Sequence, residues 1–252
     1  MPKNQNRKWF ILLQANFGLA AGLVLLAVVA GLGSRWEWWN FRQGFKIWSF
    51  TFYGAIFALV LTLVVLFIGK TGTFQQKLAW GFPPLVLSLI LIILPLSWMR
   101  IAKQVPRIHD LTTDTDNPPP FVAVIPLRKD ALNPADYGGK EVADKQKTGY
   151  PDLRSERVRL DADQTFQRAL QTAKEMGWKI VEADPSQRRI EATDTTFWFG
   201  FKDDIVIRVL PEAGSSRLDI RSLSRVGMSD VGTNAKRIRK FLSRFRNAIS
   251  SR

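Results

Sequence analysis

The chain contains no cysteine and a single histidine, His109. The first absence excludes disulfides, thiolate metal centres and a cysteine nucleophile, and the second excludes any metal site built from several imidazoles. Among common metal sites, only carboxylate-rich ones for hard divalent cations are left. The chain also lacks a nucleophile elbow. No metal and no cofactor are expected. Acidic residues are scarce too, but only in one half: Glu37 is the single acid among the first hundred residues, against nine Lys and Arg, whereas positions 101–252 hold 21 acids and 27 bases. The composition therefore divides the chain into a 1–100 region and a 101–252 region.

A net charge of +14 in a soluble protein would point to nucleic acid. Here much of the excess sits at the ends of apolar runs, where topology and anionic lipid headgroups account for it, and no nucleic acid is expected as a partner. The runs cover about 10–32, 47–69 and 78–99, each long enough, at about 20 residues, to cross a hydrocarbon core as a helix. A cleaved signal peptide competes for the first run because Lys3, Arg7 and Lys8 precede it, but its length and the two runs that follow favour a span. No ionisable side chain lies inside any run, and Gln14 and Asn16 are polar exceptions in the first. Transport needs ionisable groups at membrane depth, so the three helices read as an anchor or assembly surface. Trp9, Trp36, Trp38, Trp39, Trp48, Trp80 and Trp98 cluster near the run ends, where an indole prefers the headgroup level. The 34–46 link reads as an interfacial anchor or a contact for another membrane protein.

Orientation rests on Lys3, Arg7, Lys8, Lys70 and Lys77 on one side against Arg35, Arg42, Lys46, Arg100, Lys103 and Arg107 on the other, a near balance. The leading basic residues of the first helix favour a cytoplasmic amino terminus and put the carboxyl-terminal domain outside. The expected location is therefore a multi-pass protein of a bacterial inner membrane, with the domain facing the periplasm. Its expected partners are the lipid bilayer and another membrane or envelope protein.

The second region reads as a soluble α+β domain. Turn formers fill 105–120, a strand is expected at 121–126, and 129–151 reads as a long loop. A short strand near 158–160 precedes a helix capped at Asp161, with Phe166, Ala169, Leu170, Ala173 and Met176 at helical spacing and Gly177 ending it. Strands follow at 178–183, 189–195, 197–201, 205–210 and 217–222, joined by short turns that make the sheet antiparallel. Ile205, Ile207 and Val209 alternate with Val206 and Arg208, as expected for one buried face. The last helix is expected to start near Ser229 and Asp230, with Val231, Ala235, Ile238, Leu242, Phe245 and Ile249 as its core stripe. The fold expected is thus three membrane helices followed by an antiparallel sheet of about five strands with two helices packed on one face.

Several ordered motifs, IHDLTTD at 108–114, MGW at 176–178, RIEAT at 189–193, WFGFKDD at 198–204 and RSLSRVGMSDVGTNAKRI at 221–238, closely resemble the domain of unknown function 1499 family. The resemblance runs over about 106–245 and leaves the three helices as an accessory anchor. It implies a bacterial or plastid membrane protein of envelope or thylakoid type. It supplies no established reaction, cofactor or catalytic residue.

Three functions compete. The first is a non-enzymatic binding or scaffold module whose ligand site is formed by His109, Asp110, Lys202, Asp203, Asp204, Arg225, Ser229, Asp230 and Asn234, where polar residues and glycines concentrate beyond the needs of hairpins. The second is a lipid-binding domain with an apolar cavity lined by Trp198, Phe199 and Phe201. The third is a hydrolase using His109 as general base with Asp110 or Asp114. The basic run Lys236, Arg237, Lys240 and Arg244 reads as a solvated helix face or a contact for anionic lipid.

Overall fold

The computed structural model describes residues 2–69 and 73–250, with side chains from residue 7 onward. Lys70 and the side chain of Lys3, both in the charge balance above, lie outside the described residues. The structure forms two compact units, Met1–Arg100 with Phe197–Gly200, and Ile101–Thr196 with Phe201–Arg252.

The first unit is built on α1 (Pro2–Arg35), α2 (Phe41–Phe67) and α3 (Phe74–Gln104), whose last four residues count with the second unit. Three helical stretches, Arg7–Arg35, Phe41–Phe67 and Phe74–Gln104, are long and apolar enough to cross a membrane. Asn40 starts α2 with a reciprocal cap: its side chain accepts from the Gln43 amide while the Gln43 side chain accepts from its own. Small residues let α1 and α2 approach closely, and a Cβ on Gly54 would meet Leu23 at 2.8 Å. Asn16 joins them in their interior, donating to the Ala58 carbonyl at 2.9 Å and the Thr62 hydroxyl at 2.7 Å. Helix α3 continues through Pro83, Pro84 and Pro95, and packs Leu91 with Leu23, Ala27 and Ala55.

The segment Phe197–Gly200 belongs to this unit and is a turn rather than the expected strand. Its aromatic rings are held by the helices. Trp198 lies on Gly31 and donates to the Val28 carbonyl at 3.3 Å, and the Phe199 ring lies 4.7 Å from that of Phe45, tilted by 32°, beside Gly44. Gly200 (φ 69°) then reverses the chain against Arg35, whose Cα would lie 2.7 Å from any Cβ there.

The second unit carries an open antiparallel sheet. Its strands are β1 (Asp110–Thr112), β2 (Glu156–Val158), β3 (Lys179–Asp184), β4 (Arg189–Thr195), β5 (Lys202–Glu212) and β6 (Ser215–Ser224). The order is β1-β6-β5-β4-β3, with β2 also paired to β6. Between β1 and β2 the chain forms α4 (Gly139–Gly149), and helices α5 (Ala162–Glu175) and α6 (Thr233–Ser250) cover one face of the sheet. Asp161 caps α5 through the Gln164 amide at 2.7 Å, and Gly177 (φ 78°) follows its end. The core joins Phe166, Ala169 and Ala173 of α5 and Ile238, Phe241 and Phe245 of α6 to Ile190, Ile205, Ile207, Leu218 and Ile220 of the sheet. Val231 (φ 52°) and Gly232 (φ 79°) are left-handed, so α6 begins at Thr233, later than expected.

Three further expectations are corrected. The 121–126 stretch is not a strand: the Val122 and Val124 amides donate to the Glu191 carboxylate instead of to a neighbouring strand, and Ile125–Arg128 is a single 3-10 turn. The 129–151 loop contains α4, whose apolar content is too low to show periodicity. This helix is stitched by the pairs Lys140 with Asp144 and Glu141 with Lys145, and Gln146 bonds both backbone groups of Thr112 like an added strand. Finally, the face of the sheet opposite the helices is not left to water. Segments within 113–138 lie over it and bury Glu191, Asp204, Asp219 and Arg221.

Candidate functional site

The nine residues singled out by sequence gather around one end of the sheet, where β5 begins, β6 ends and α6 starts. The pleat sends Asp203 and Asp204 to opposite faces, and each face has its own arginines. On the covered face Asp204 accepts from Arg128 (2.5 Å), from both Nε and Nη2 of Arg225 (2.9 and 2.8 Å) and from Thr193 (2.7 Å). Four donors satisfy a carboxylate's acceptor capacity. On the helix face Asp203 accepts from Arg237 at 2.6 Å, and the same guanidinium reaches Asp194 at 2.8 Å, Ser222 at 3.1 Å and the Asn234 carbonyl oxygen. Asn234 donates to the His109 carbonyl and to Ser224, both at 3.0 Å.

Arg237 is therefore withdrawn from the basic face of α6, where sequence placed it, because the carboxylates of Asp203 and Asp194 hold it. Burial alone would lower its pKa, but the charges of Asp203 and Asp194 outweigh that and raise it. Lys236, Lys240 and Arg244 remain exposed, with Arg244 donating to the Glu175 carbonyl at 2.8 Å.

Asp110 does not pair with His109. Both its oxygens are taken by Arg221, at 2.9 and 2.7 Å, while the His109 side chain is half-buried beside it in sequence. Burial raises the Asp110 pKa, against the hydrogen bond and charge of Arg221. Arg221 also donates to the carbonyls of Pro119 and Ala135 and lies between the rings of Phe121 (4.8 Å) and Tyr137 (5.4 Å). Burial likewise raises the Tyr137 pKa. Asp114, the other acid offered to His109, is shared by Arg208 and Arg217 at 3.0 and 3.2 Å.

Ser229 and Asp230 shape the turn before α6. The Ser229 hydroxyl accepts from the Val231 amide at 3.2 Å, and the Asp230 carboxylate accepts from the Gly232 amide at 3.0 Å and the Asn234 amide at 2.5 Å. Burial raises the Asp230 pKa, opposed by those two amides. Lys202 is exposed, and its carbonyl accepts from the Arg225 amide at 3.0 Å.

Sequence reasoning missed Arg128, Glu191, Asp194, Arg208 and Asp219 as members of this network. A signal for part of it was present: Arg217, Asp219 and Arg221 alternate along one strand face, and Asp204 and Arg208 lie on the neighbouring strand's matching face.

Two open clefts lie elsewhere on this unit. One, of about 350 Å³, has Arg154, Arg157 and Arg217 around Ser155 and Asp114. The other, of about 510 Å³, runs along Gln164, Gln167 and Gln171 of α5 to Ile249. Neither is lined by Trp198, Phe199 or Phe201; the first two pack in the helical unit, and packed side chains occupy the space between sheet and helices. Among the described residues, no group of three or more His, Asp and Glu is placed to hold a metal ion.

Residues 110–245, more than half of the chain, match the family described as protein of unknown function (DUF1499). The chain belongs to the DUF1499 family. Comparison with curated proteins finds no match. Among solved structures, the DUF1499 chain is similar to the di-domain ARO/CYC BexL from the BE-7585A biosynthetic pathway, at 15% identity over 38% of this chain and 43% of that one, with a TM-score of 0.28. A second is CalU16 from Micromonospora echinospora, at 13% identity over 36% and 72% of the two chains, with a TM-score of 0.27. At these scores the similarity is too slight to carry either neighbour's chemistry across.

Proposed function

We propose that this DUF1499 protein is a membrane-anchored envelope protein whose second unit is a non-enzymatic binding or scaffold module. We place its helices in a bacterial inner membrane as a multi-pass anchor, with the module on the periplasmic side and another membrane or envelope protein as its partner. The observation that carries this reading is the saturation of the acids. Asp110, Asp203 and Asp204 each accept from buried or half-buried arginines, so the carboxylates that sequence offers for acid–base work serve as internal ties. An open feature that is polar and reachable is the 350 Å³ cleft, where Arg157, paired with Glu212 at 3.3 Å, is 72% exposed on the rim.

A photo-crosslinking residue in place of Arg157, in the full chain in its native membrane, is expected to trap a discrete adduct that the same residue at Gln187 does not. Equal, diffuse labelling at both positions would remove the cleft from consideration. A chemical activity of the purified protein that disappears in His109→Ala, with its melting temperature unchanged, would replace the binding reading with an enzymatic one. Because the chain has no native cysteine, Gln187→Cys also tests orientation. The expectation is labelling by a membrane-impermeant maleimide in intact spheroplasts, and labelling only after lysis would reverse the topology.

A further inference from the structure

Ile125, Leu127, Leu132 and Met228 are large apolar residues left 44%, 50%, 60% and 71% exposed. Hydrogen bonds bring them to one end of the sheet. Arg225 donates to the Leu127 carbonyl at 2.7 Å, and its amide donates to the carbonyl of Lys202, the first residue of β5. Asn133, next to Leu132, donates to the carbonyls of Ser224 and Gly227, both at 2.9 Å. The 3-10 turn, the 132–133 bend and the 227–228 loop therefore surround the place where β6 ends.

The rim is basic. Lys129 and Lys202 are exposed there, and Arg107 lies 3.8 Å from the Met228 sulfur. Asp130 is the one acid in the sequence from 121 to 133. Arg107 is also three residues past Gln104, the end of α3. Arg107 on the rim is thus tethered by about 10 Å of extended chain to a helix long and apolar enough to cross a membrane.

We propose that this end of the module is an interfacial lipid-binding surface, with the four apolar side chains entering the boundary between headgroups and acyl chains and Arg107, Lys129 and Lys202 meeting anionic headgroups. An apolar centre with a cationic rim is the chemistry of interfacial anchoring. Exposed apolar side chains gathered at one end of a domain tethered this closely have lipid always within reach, whereas a protein partner would have to be recruited. The surface differs from the basic run of α6, from which Arg237 is withdrawn, and it does not depend on whether the cleft binds a partner.

Single cysteines at Leu127, Leu132 and Met228, with Gln187→Cys in the β3–β4 turn at the opposite end of the sheet as control, can each carry a bimane fluorophore. The full chain is placed in nanodiscs of phosphatidylcholine and phosphatidylglycerol containing a lipid with a shallow nitroxide quencher. Quenching at 127, 132 and 228 is expected to exceed that at 187 by about twofold or more, as for side chains at interfacial depth. Equal quenching at all four positions overturns the proposal, as does shielding of the first three labels from water without quenching, the mark of a protein occupant. Lys129→Gln combined with Lys202→Gln is expected to lower quenching when phosphatidylglycerol is present and to leave it unchanged in pure phosphatidylcholine. An equal loss in both lipids would refute the headgroup contact.

Discussion

Asp204 accepts from three side chains on one face of β5, and Asp203, one residue earlier, from Arg237 on the other. Taking away one partner of such a pair leaves an uncompensated buried charge. Asp204→Ala strands both Arg128 and Arg225 and is expected to cost about 3–5 kcal/mol in denaturant unfolding of the detergent-solubilised chain. Arg225→Ala should cost less, because Arg128 still neutralises Asp204; an equal cost would mean that Arg128 carries none of the load. Asp230 gives a pH signature. Its folded pKa is raised above 3.8 by burial, so the folded state holds that proton more tightly than the unfolded chain. Its contribution to stability is fully present below the ordinary carboxyl range and falls as pH rises through that range to the folded value. Asp230→Asn keeps one accepting oxygen and cannot ionise. The difference in melting temperature between wild type and this variant is expected to shift in the variant's favour as pH rises across that window, and a pH-independent difference would contradict the assignment.

At the scale of elements, the covering chain between β1 and α4 has almost no secondary structure and is held by side chains. Arg221 alone ties Pro119, Ala135, Phe121 and Tyr137 to Asp110. A lysine cannot reproduce a bidentate, ring-stacked guanidinium. Arg221→Lys is therefore expected to open 113–138 to limited proteolysis while helices α5 and α6 stay protected, read by mass spectrometry of the fragments. Cleavage spread evenly over the unit would instead mean global unfolding. Gly177 makes a smaller prediction. A Cβ there would meet nothing within 4 Å, but its φ of 78° is left-handed, so Gly177→Ala should cost about 1 kcal/mol from backbone conformation alone.

At the scale of the whole molecule, each unit has its own interior. The helical unit relies on close-packed small residues and on polar ties such as that of Asn16 between α1 and α2. Asn16→Val is expected to weaken association of α1 and α2 by about 0.6–1.7 kcal/mol, measured by steric trapping in bicelles; no change would mean the Asn16 contacts to Ala58 and Thr62 are energetically idle. The sheet unit has a continuous apolar core from Ile108 to Phe245, but Trp198 and Phe199 are packed in the helical unit. A fragment starting at Val105 should therefore fold and yet self-associate through those two rings, and Trp198→Ser with Phe199→Asn should return it to a monomer by sedimentation. A monomeric unmodified fragment would show that the rings find cover within the sheet unit.

The sequence by itself determined the three apolar helices, the family, the antiparallel character of the sheet and the boundaries of β4, because hydropathy, ordered motifs and short turns are local signals, but it inserted a strand at 197–201 that the structure replaces with a turn. It left Asp203 and Asp204 between two strands, whereas β5 begins at Lys202 and sends the two acids to opposite faces. Only the tertiary structure decided what those acids do. Alternation of Arg208, Asp219 and Arg221 with apolar residues reads locally as one wet face, and nothing local says that a proline-rich segment far earlier in the chain will bury it. The same holds for Arg237, which looks like its basic neighbours until Asp194 and Asp203 are brought across from two strands. Charged residues leave a solvent pattern in sequence whether water or a distant counter-charge receives them, and only folding distinguishes the two.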